Sequence, residues 1–274
     1  MTIDVHLTST DLGGYLHHSL DPSRDLQVRE HIEDCPLCWQ AWNLHLWTAA
    51  RNSPLFARFE EFLGTECPPA LDPTSALTAE WDAARFRSEC DVARFFRTSA
   101  THLRELVISE ASGYRRNNVA RVLPALARHG VQTVLDYGCG IGSDTVPLHE
   151  SGFAVIGCDF DSPSTAFLRW RSGDGICVLD PAQIGLVPAP DALWIVDMFD
   201  YLADIEASLG ALLSSVDLLV SGNLTFRRAR ARHRFQYRHS SAEIVAVLSR
   251  HGLVPSPPTD LDPVMLWTRR PGRR

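Results

Sequence analysis

The chain changes hydrophobic rhythm twice along its length. From Val131 onward, short apolar and β-branched runs (TVLDYG, AVIGCD, ICVLD, ALWIVD and DLLVSG) are separated by longer stretches of helical period. That alternation predicts a parallel sheet covered by helices. Between 49 and 130 the first half is punctuated by Pro54, Pro68, Pro69 and Pro73. Helical periodicity then runs from Ala79 through Leu106 and again from Asn118 to Arg128. This middle region reads as a linker followed by helices that lead into the next domain. The first 48 residues read as short helices, Asp11 to Leu20 and Arg24 to Glu33, parted by the break and cap signal Asp21-Pro22-Ser23 and ending in a Cys-Pro-Leu-Cys turn. The expected domains are therefore 1–48, 49–130 and 131–274.

Composition narrows the class. With 274 residues, 45% of them hydrophobic and 22% charged, the chain can bury a core and is not a disordered or fibrous sequence. No apolar run reaches the roughly 18 residues that span a bilayer, and MTIDVHLTSTD has neither a basic nor an apolar leader segment, so no membrane association and a cytoplasmic location are expected. The 26 basic residues are all arginine, which excludes Schiff-base lysines and Walker-type phosphate loops. A net charge of -7 argues against a protein devoted to coating nucleic acid. The seven cysteines, at 35, 38, 67, 90, 139, 158 and 177, lack the spacing of a secreted disulfide scaffold.

The strongest chemical signal starts at Thr133. An apolar strand runs directly into Gly138-Cys139-Gly140-Ile141-Gly142 and then into a helix. Glycines there let backbone pass close to a ligand, at the carboxyl end of the first strand where open α/β sheets bind theirs. Such a loop alone is a weak sign. It is followed by Asp159, Asp180 and Asp197 at the ends of the next three runs, and preceded by Asp136. One strand-end carboxylate is commonly a helix cap. Four along the same rim predict a binding site, with Asp159 suited to accept hydrogen bonds from both hydroxyls of a ribose.

This run of motifs resembles the class I S-adenosylmethionine-dependent methyltransferases over about residues 114–270: VLDYGCGIG matches the family's first motif, GCDFD its acidic second-strand end, VLD its adenine contact and DALWIVDMFDYLAD its fourth-strand segment. The resemblance implies a Rossmann-like, seven-stranded, mostly parallel sheet with helices on both faces. It also implies S-adenosylmethionine as cofactor, with Gly138, Gly140, Gly142 and Asp136 near the methionine part, Asp159 on the ribose, Phe160 against adenine, Asp180 at the adenine amine, and Asp197 and Met198 at the end of the fourth strand. Many relatives carry Glu-His where this chain has Asp200-Tyr201, so a histidine base at that point is not implied. Asp200 and Tyr201 are the leading catalytic candidates, with Tyr114 and His239 behind them; Arg115, Asn223, His233 and Tyr237 are further candidates for substrate contact.

A second constellation lies near the start. His31-x3-Cys35-x2-Cys38 places a helical histidine one turn before a cysteine knuckle, a ligand set suited to tetrahedral zinc. A fourth ligand must come from elsewhere: His6 lies 25 residues upstream of His31, and His17 and His18 are the alternatives. Residues 4–44 resemble the zinc-binding module of anti-sigma factors. A closed four-ligand Zn2+ would be structural, supplying folding energy to a small all-α module that is free to hold a substrate or a protein partner.

Downstream, Arg227, Arg228, Arg230, Arg232, Arg234 and Arg238 form a cationic run suited to a phosphate, a carboxylate or an acidic peptide. The expected function is methyl transfer to a small-molecule or peptide substrate, one that an arginine run would favour as an anion, in specialised natural-product biosynthesis. The alternative is a regulatory binding protein whose zinc module captures a protein partner and whose methyltransferase fold senses cofactor.

Overall fold

A computed structural model of the chain describes residues 6–69, 72–86, 88–115, 117–222, 239–256 and 264–270, with Glu89 by its backbone only. The arginine run from Arg227 to Arg238, together with Asn223, His233 and Tyr237, lies outside the described residues. The chain divides into two compact units, residues 1–88 with 99–116, and residues 89–98 with 117–274.

The first unit is helical. Helices α1 (Ser9–Leu16), α2 (Pro22–Asp34), α3 (Pro36–Arg51), α4 (Pro54–Leu63), α5 (Pro73–Ala84) and α7 (Ala100–Ala111) compose it, while α6 (Glu89–Thr98) belongs to the second unit. Pro54 and Pro73, expected as linker punctuation, are instead the first residues of α4 and α5. Proline is at home there because the first helical N–H has no intrahelical partner and its φ is already set. Asp21 caps α2, accepting from the Ser23 and Arg24 N–H groups at 3.0 Å each, and Asp72 caps α5. The long helix expected from Ala79 to Leu106 is three helices. Arg85 takes a left-handed φ of 48° that ends α5, and Ser99 starts α7 afresh by accepting from the His102 N–H at 3.1 Å. Buried aromatic and aliphatic side chains, among them Trp39, Trp42, Trp47, Phe56, Phe59, Leu103 and Val107, fill the middle of this unit.

The second unit is an α/β sheet in the order β3-β2-β1-β4-β5-β7-β6. Its strands are β1 (Thr133–Tyr137), β2 (Ala154–Cys158), β3 (Cys177–Leu179), β4 (Ala192–Val196), β5 (Leu218–Gly222), β6 (Leu253–Pro255) and β7 (Val264–Arg269). Strands β1 to β5 pair in parallel, and β7 runs antiparallel to β5 and β6. All five residues of β4 and of β5 are buried, as strands covered on both faces must be. Alternation along β1 and β4 divides the core. Val134, Trp194 and Val196 pack with α8 (Asn118–Arg128) and α9 (Thr145–Glu150) through Val122, Leu126 and Leu148. Leu135, Leu193 and Ile195 pack on the opposite face with α11 (Ile205–Ser215) and α12 (Ser241–Arg250) through Leu209, Leu213, Ile244 and Leu248. Helix α10 (Pro163–Ser172) adds Leu168 beneath the glycine loop, against Cys139. The strand order reverses between β1 and β4, the point where open α/β sheets bind ligands at their carboxyl ends. No described helix is long and apolar enough to cross a membrane.

Candidate functional site

The glycine loop is shaped by contacts that exclude side chains. Gly138, Gly140 and Gly142 have φ values of 82°, 50° and 84°, in the left-handed region. A Cβ on Gly138 would fall 2.5 Å from Met198 Sδ, and one on Gly142 would fall 2.3 Å from Leu168 Cδ1. The loop is pinned to the end of β2, because the Gly138 N–H donates to the Cys158 carbonyl at 2.7 Å.

Asp159 closes that connection. Its Oδ2 accepts from the Gly140 N–H at 2.8 Å and its Oδ1 from the Phe160 N–H at 2.7 Å. Each carboxylate oxygen keeps a second lone-pair direction for a further donor. Burial pushes this carboxyl up to about 6, against the opposing pull of those two N–H bonds. Asp136, buried at the end of β1, accepts from the Thr145 hydroxyl at 2.6 Å, and the neighbouring Asp144 accepts from Trp194 Nε1 at 3.0 Å. Thr145 and Asp144 thus fix the rim from behind, a role that their place at the start of a helix does not announce.

Asp180 ends β3 and caps the short 3-10 turn Pro181–Leu186, its Oδ1 accepting from the Ala182 N–H at 3.1 Å. Its Oδ2 pairs with Arg97 Nη1 of α6 at 2.7 Å. Partial burial raises this carboxyl, but the Arg97 and Ala182 hydrogen bonds outweigh it and hold it below its ordinary range. The Arg97 guanidinium also lies over the Phe160 ring, 4.6 Å from its centre, and Phe96 meets Tyr201 edge-on with ring centres 5.5 Å apart. Sequence reasoning missed both α6 residues: they lie well upstream of the glycine loop, inside what looked like one uninterrupted helical run.

At the end of β4, Asp197 adopts φ 58°, in the left-handed region that Asp enters more readily than most residues with a side chain. Met198 lies across Gly138, and Asp200 and Tyr201 form a 3-10 turn with Phe199. His239 is brought to the same turn, its Nε2–H donating to the Leu202 carbonyl at 2.6 Å, which in the neutral ring leaves Nδ1 as the proton-accepting nitrogen. Tyr114 belongs to the first unit, as does Arg115. There the Tyr114 hydroxyl meets that of Tyr15 at 3.0 Å, its carbonyl accepts from His18 Nε2 at 2.7 Å, and its ring packs against Trp42.

In the first unit, the ligand atoms of His6, His31, Cys35 and Cys38 all lie within 4.8 Å of one another. His6 Nδ1 is 3.4 Å from Cys35 Sγ and 3.7 Å from Cys38 Sγ. A tetrahedral zinc with bonds of about 2.0–2.3 Å requires ligand–ligand separations of roughly 3.3–3.8 Å. His31 Nε2 is buried with no hydrogen-bond partner among the described residues, an orphan that a metal would satisfy, and the Leu7 N–H donates to Cys38 Sγ at 3.3 Å as a supporting contact. The junction of α2 and α3 makes this possible, since Cys35 ends one helix and begins the next. His17 and His18 are not in the cluster, and His18 is engaged with Tyr114.

No protein-family model and no curated protein matches the sequence. Among solved structures, magnesium protoporphyrin IX methyltransferase from Synechocystis PCC 6803, with bound SAH, is similar at 18% identity and a TM-score of 0.51, covering 67% of this chain and 100% of its own. The pyocyanin biosynthetic protein PhzM is similar at 15% identity and a TM-score of 0.48, covering 89% of this chain and 99% of its own. The likeness is one of fold: the sheet and its helices form the class I methyltransferase fold.

Proposed function

We propose that the protein is an S-adenosylmethionine-dependent methyltransferase with a structural zinc in its N-terminal module. The module would occupy 1–48 and lead through the helices of 49–130 to the cofactor domain at 131–274. The observation that carries the reading is the Asp159 carboxylate, tied to the Gly140 N–H at the β1/β4 switch point with acceptor directions to spare. The solved structure of the same fold from Synechocystis holds SAH, which supports this cofactor class for the rim.

When bound, S-adenosylmethionine supplies an already electrophilic methyl group on its sulfonium. What the chain must add is placement, exclusion of water and removal of the acceptor's proton. In this reading Asp159 holds the ribose hydroxyls, Phe160 and Asp180 hold adenine, and Gly138, Gly140 and Gly142 with Asp136 bracket the methionine part. Asp197 and Met198 border it from the end of β4. Asp200 and Tyr201 face the acceptor, and His239, with Nε2–H fixed on the Leu202 carbonyl, offers Nδ1 as a base. The acidic chain favours a small-molecule or peptide acceptor over nucleic acid, and the arginine run favours an anionic one. A role in natural-product biosynthesis and capture of a substrate or protein partner by the zinc module belong to the same proposal. The zinc would be held by His6, His31, Cys35 and Cys38, with no open position for chemistry.

Calorimetric titration with S-adenosylhomocysteine tests the cofactor assignment. Asp159→Ala is expected to weaken binding at least tenfold, about 1.4 kcal/mol; unchanged affinity would remove Asp159 from the site. Tight binding with no methyl transfer to any acceptor supplied would favour the cofactor-sensing alternative.

A further inference from the structure

We propose that Arg97 is an internal competitor for the adenine end of the cofactor, a positioning residue that must give way before adenine can be held. The inference rests on the cofactor reading given above. In that reading adenine needs two things from this part of the rim: an oxygen of Asp180 for its amine and the face of Phe160 for its ring. One guanidinium engages both.

Both oxygens of Asp180 are already engaged. Its Oδ1 is committed to the Ala182 N–H at 3.1 Å, and its own N–H donates to Gln183 Oε1 at 3.0 Å, so the carboxylate cannot swing away without dismantling the turn that it caps. The remaining oxygen, Oδ2, is paired with Arg97 Nη1 at 2.7 Å. Over Phe160 the guanidinium carbon sits 4.6 Å from the ring centre, the layer that a stacked base would fill. A residue that merely clamped adenine from outside would stand one ring-thickness further off. Arg97 therefore presents to Asp180 and Phe160 the same two features as adenine, a hydrogen-bond donor and a flat π-faced group.

The contact is built to be broken. The Arg97 and Asp180 side chains are 37% and 23% exposed, so water competes for both and the displaced guanidinium can be solvated. Helix α6 also carries Phe96 against Tyr201, in the turn that bears the acceptor-side candidates.

The test is calorimetric titration of the full-length protein and of Arg97→Gln with S-adenosylhomocysteine, at about 0.05 M and about 0.5 M salt. Arg97→Gln removes the charge and the ion pair while keeping a side chain of similar length, and its thermal melt checks folding. Affinity is expected to rise about three- to tenfold in Arg97→Gln at low salt, with the gap to wild type narrowing at high salt as the ion pair is screened. Arg97→Lys, which retains a charge but not the planar stack, is expected to fall between the two. Unchanged or weaker binding in a folded Arg97→Gln overturns the proposal while leaving the cofactor reading intact. Failure of S-adenosylhomocysteine to bind either protein overturns both.

Discussion

The histidine-cysteine cluster and the carboxylate rim are both built at the ends of regular elements, yet they turn their polar atoms in opposite directions. In the cluster, four ligand atoms converge on one another and His31 Nε2 is buried with no partner among the described residues, so a single ion would use every one of them. Along the rim, Asp159 and Asp180 are tied by backbone N–H groups through part of their capacity. Asp159 keeps the rest for something larger, and on Asp180 that place is held by the Arg97 side chain, which a ligand can displace. The first arrangement is closed and suits a structural metal; the second is open and suits a ligand that comes and goes. Function in this chain is expected where the acceptor capacity is left over.

The largest effect should come from breaking the closed site. Cys35→Ser is expected to lose bound zinc and, with it, amide-exchange protection across α1 to α3, while the sheet keeps its own. Structural zinc in small modules is worth on the order of 10 kcal/mol of folding free energy, which local packing cannot replace. Elemental analysis and hydrogen exchange read this out, and wild-type protein without zinc would end the assignment. Next is the open site. Gly138→Ala should remove S-adenosylhomocysteine binding and cost about 1–3 kcal/mol of stability, because φ 82° is strained for alanine and its Cβ would collide with Met198.

A subtler difference concerns pH. Desolvation pushes the half-buried Asp159 carboxyl up to about 6 from an ordinary 3.8, so the folded protein holds this proton more tightly than the unfolded chain. Its contribution to stability is therefore fully present below about pH 4 and is lost as pH rises to about 6. Relative to Asp159→Ala, wild type should lose denaturant resistance across that window. Binding of S-adenosylhomocysteine should move the opposite way, weakening as pH falls below about 6 and the carboxylate is protonated. The smallest effect should be Trp39→Phe, which deletes the 2.6 Å bond from Nε1 to Asp72. A loss of about 1 kcal/mol with zinc content unchanged would show that the first unit is held by more than its metal.

Much of this was legible in the sequence because the signals are local. His31, Cys35 and Cys38 fall within eight residues on one helix junction, and the glycine loop with its strand-end aspartates follows directly from buried runs and turn chemistry. Helix α8 begins and ends where the pattern places it, at Asn118 and Arg128. What stayed hidden depends on the third dimension. Periodicity carried across Arg85 and Ser99, so the breaks that free α6 to join the second unit were invisible, and with them the contacts of Arg97 and Phe96. The prolines at 54 and 73 misled because a helix start and a linker share that residue.

The most direct measurement is a crystal structure of the protein grown with S-adenosylhomocysteine. The account predicts density at the carboxyl ends of β1 and β2, with both ribose hydroxyls on the Asp159 carboxylate and the adenine amine on Asp180. Density for the ligand elsewhere, or a rim whose carboxylates make no contact with it, would contradict the account.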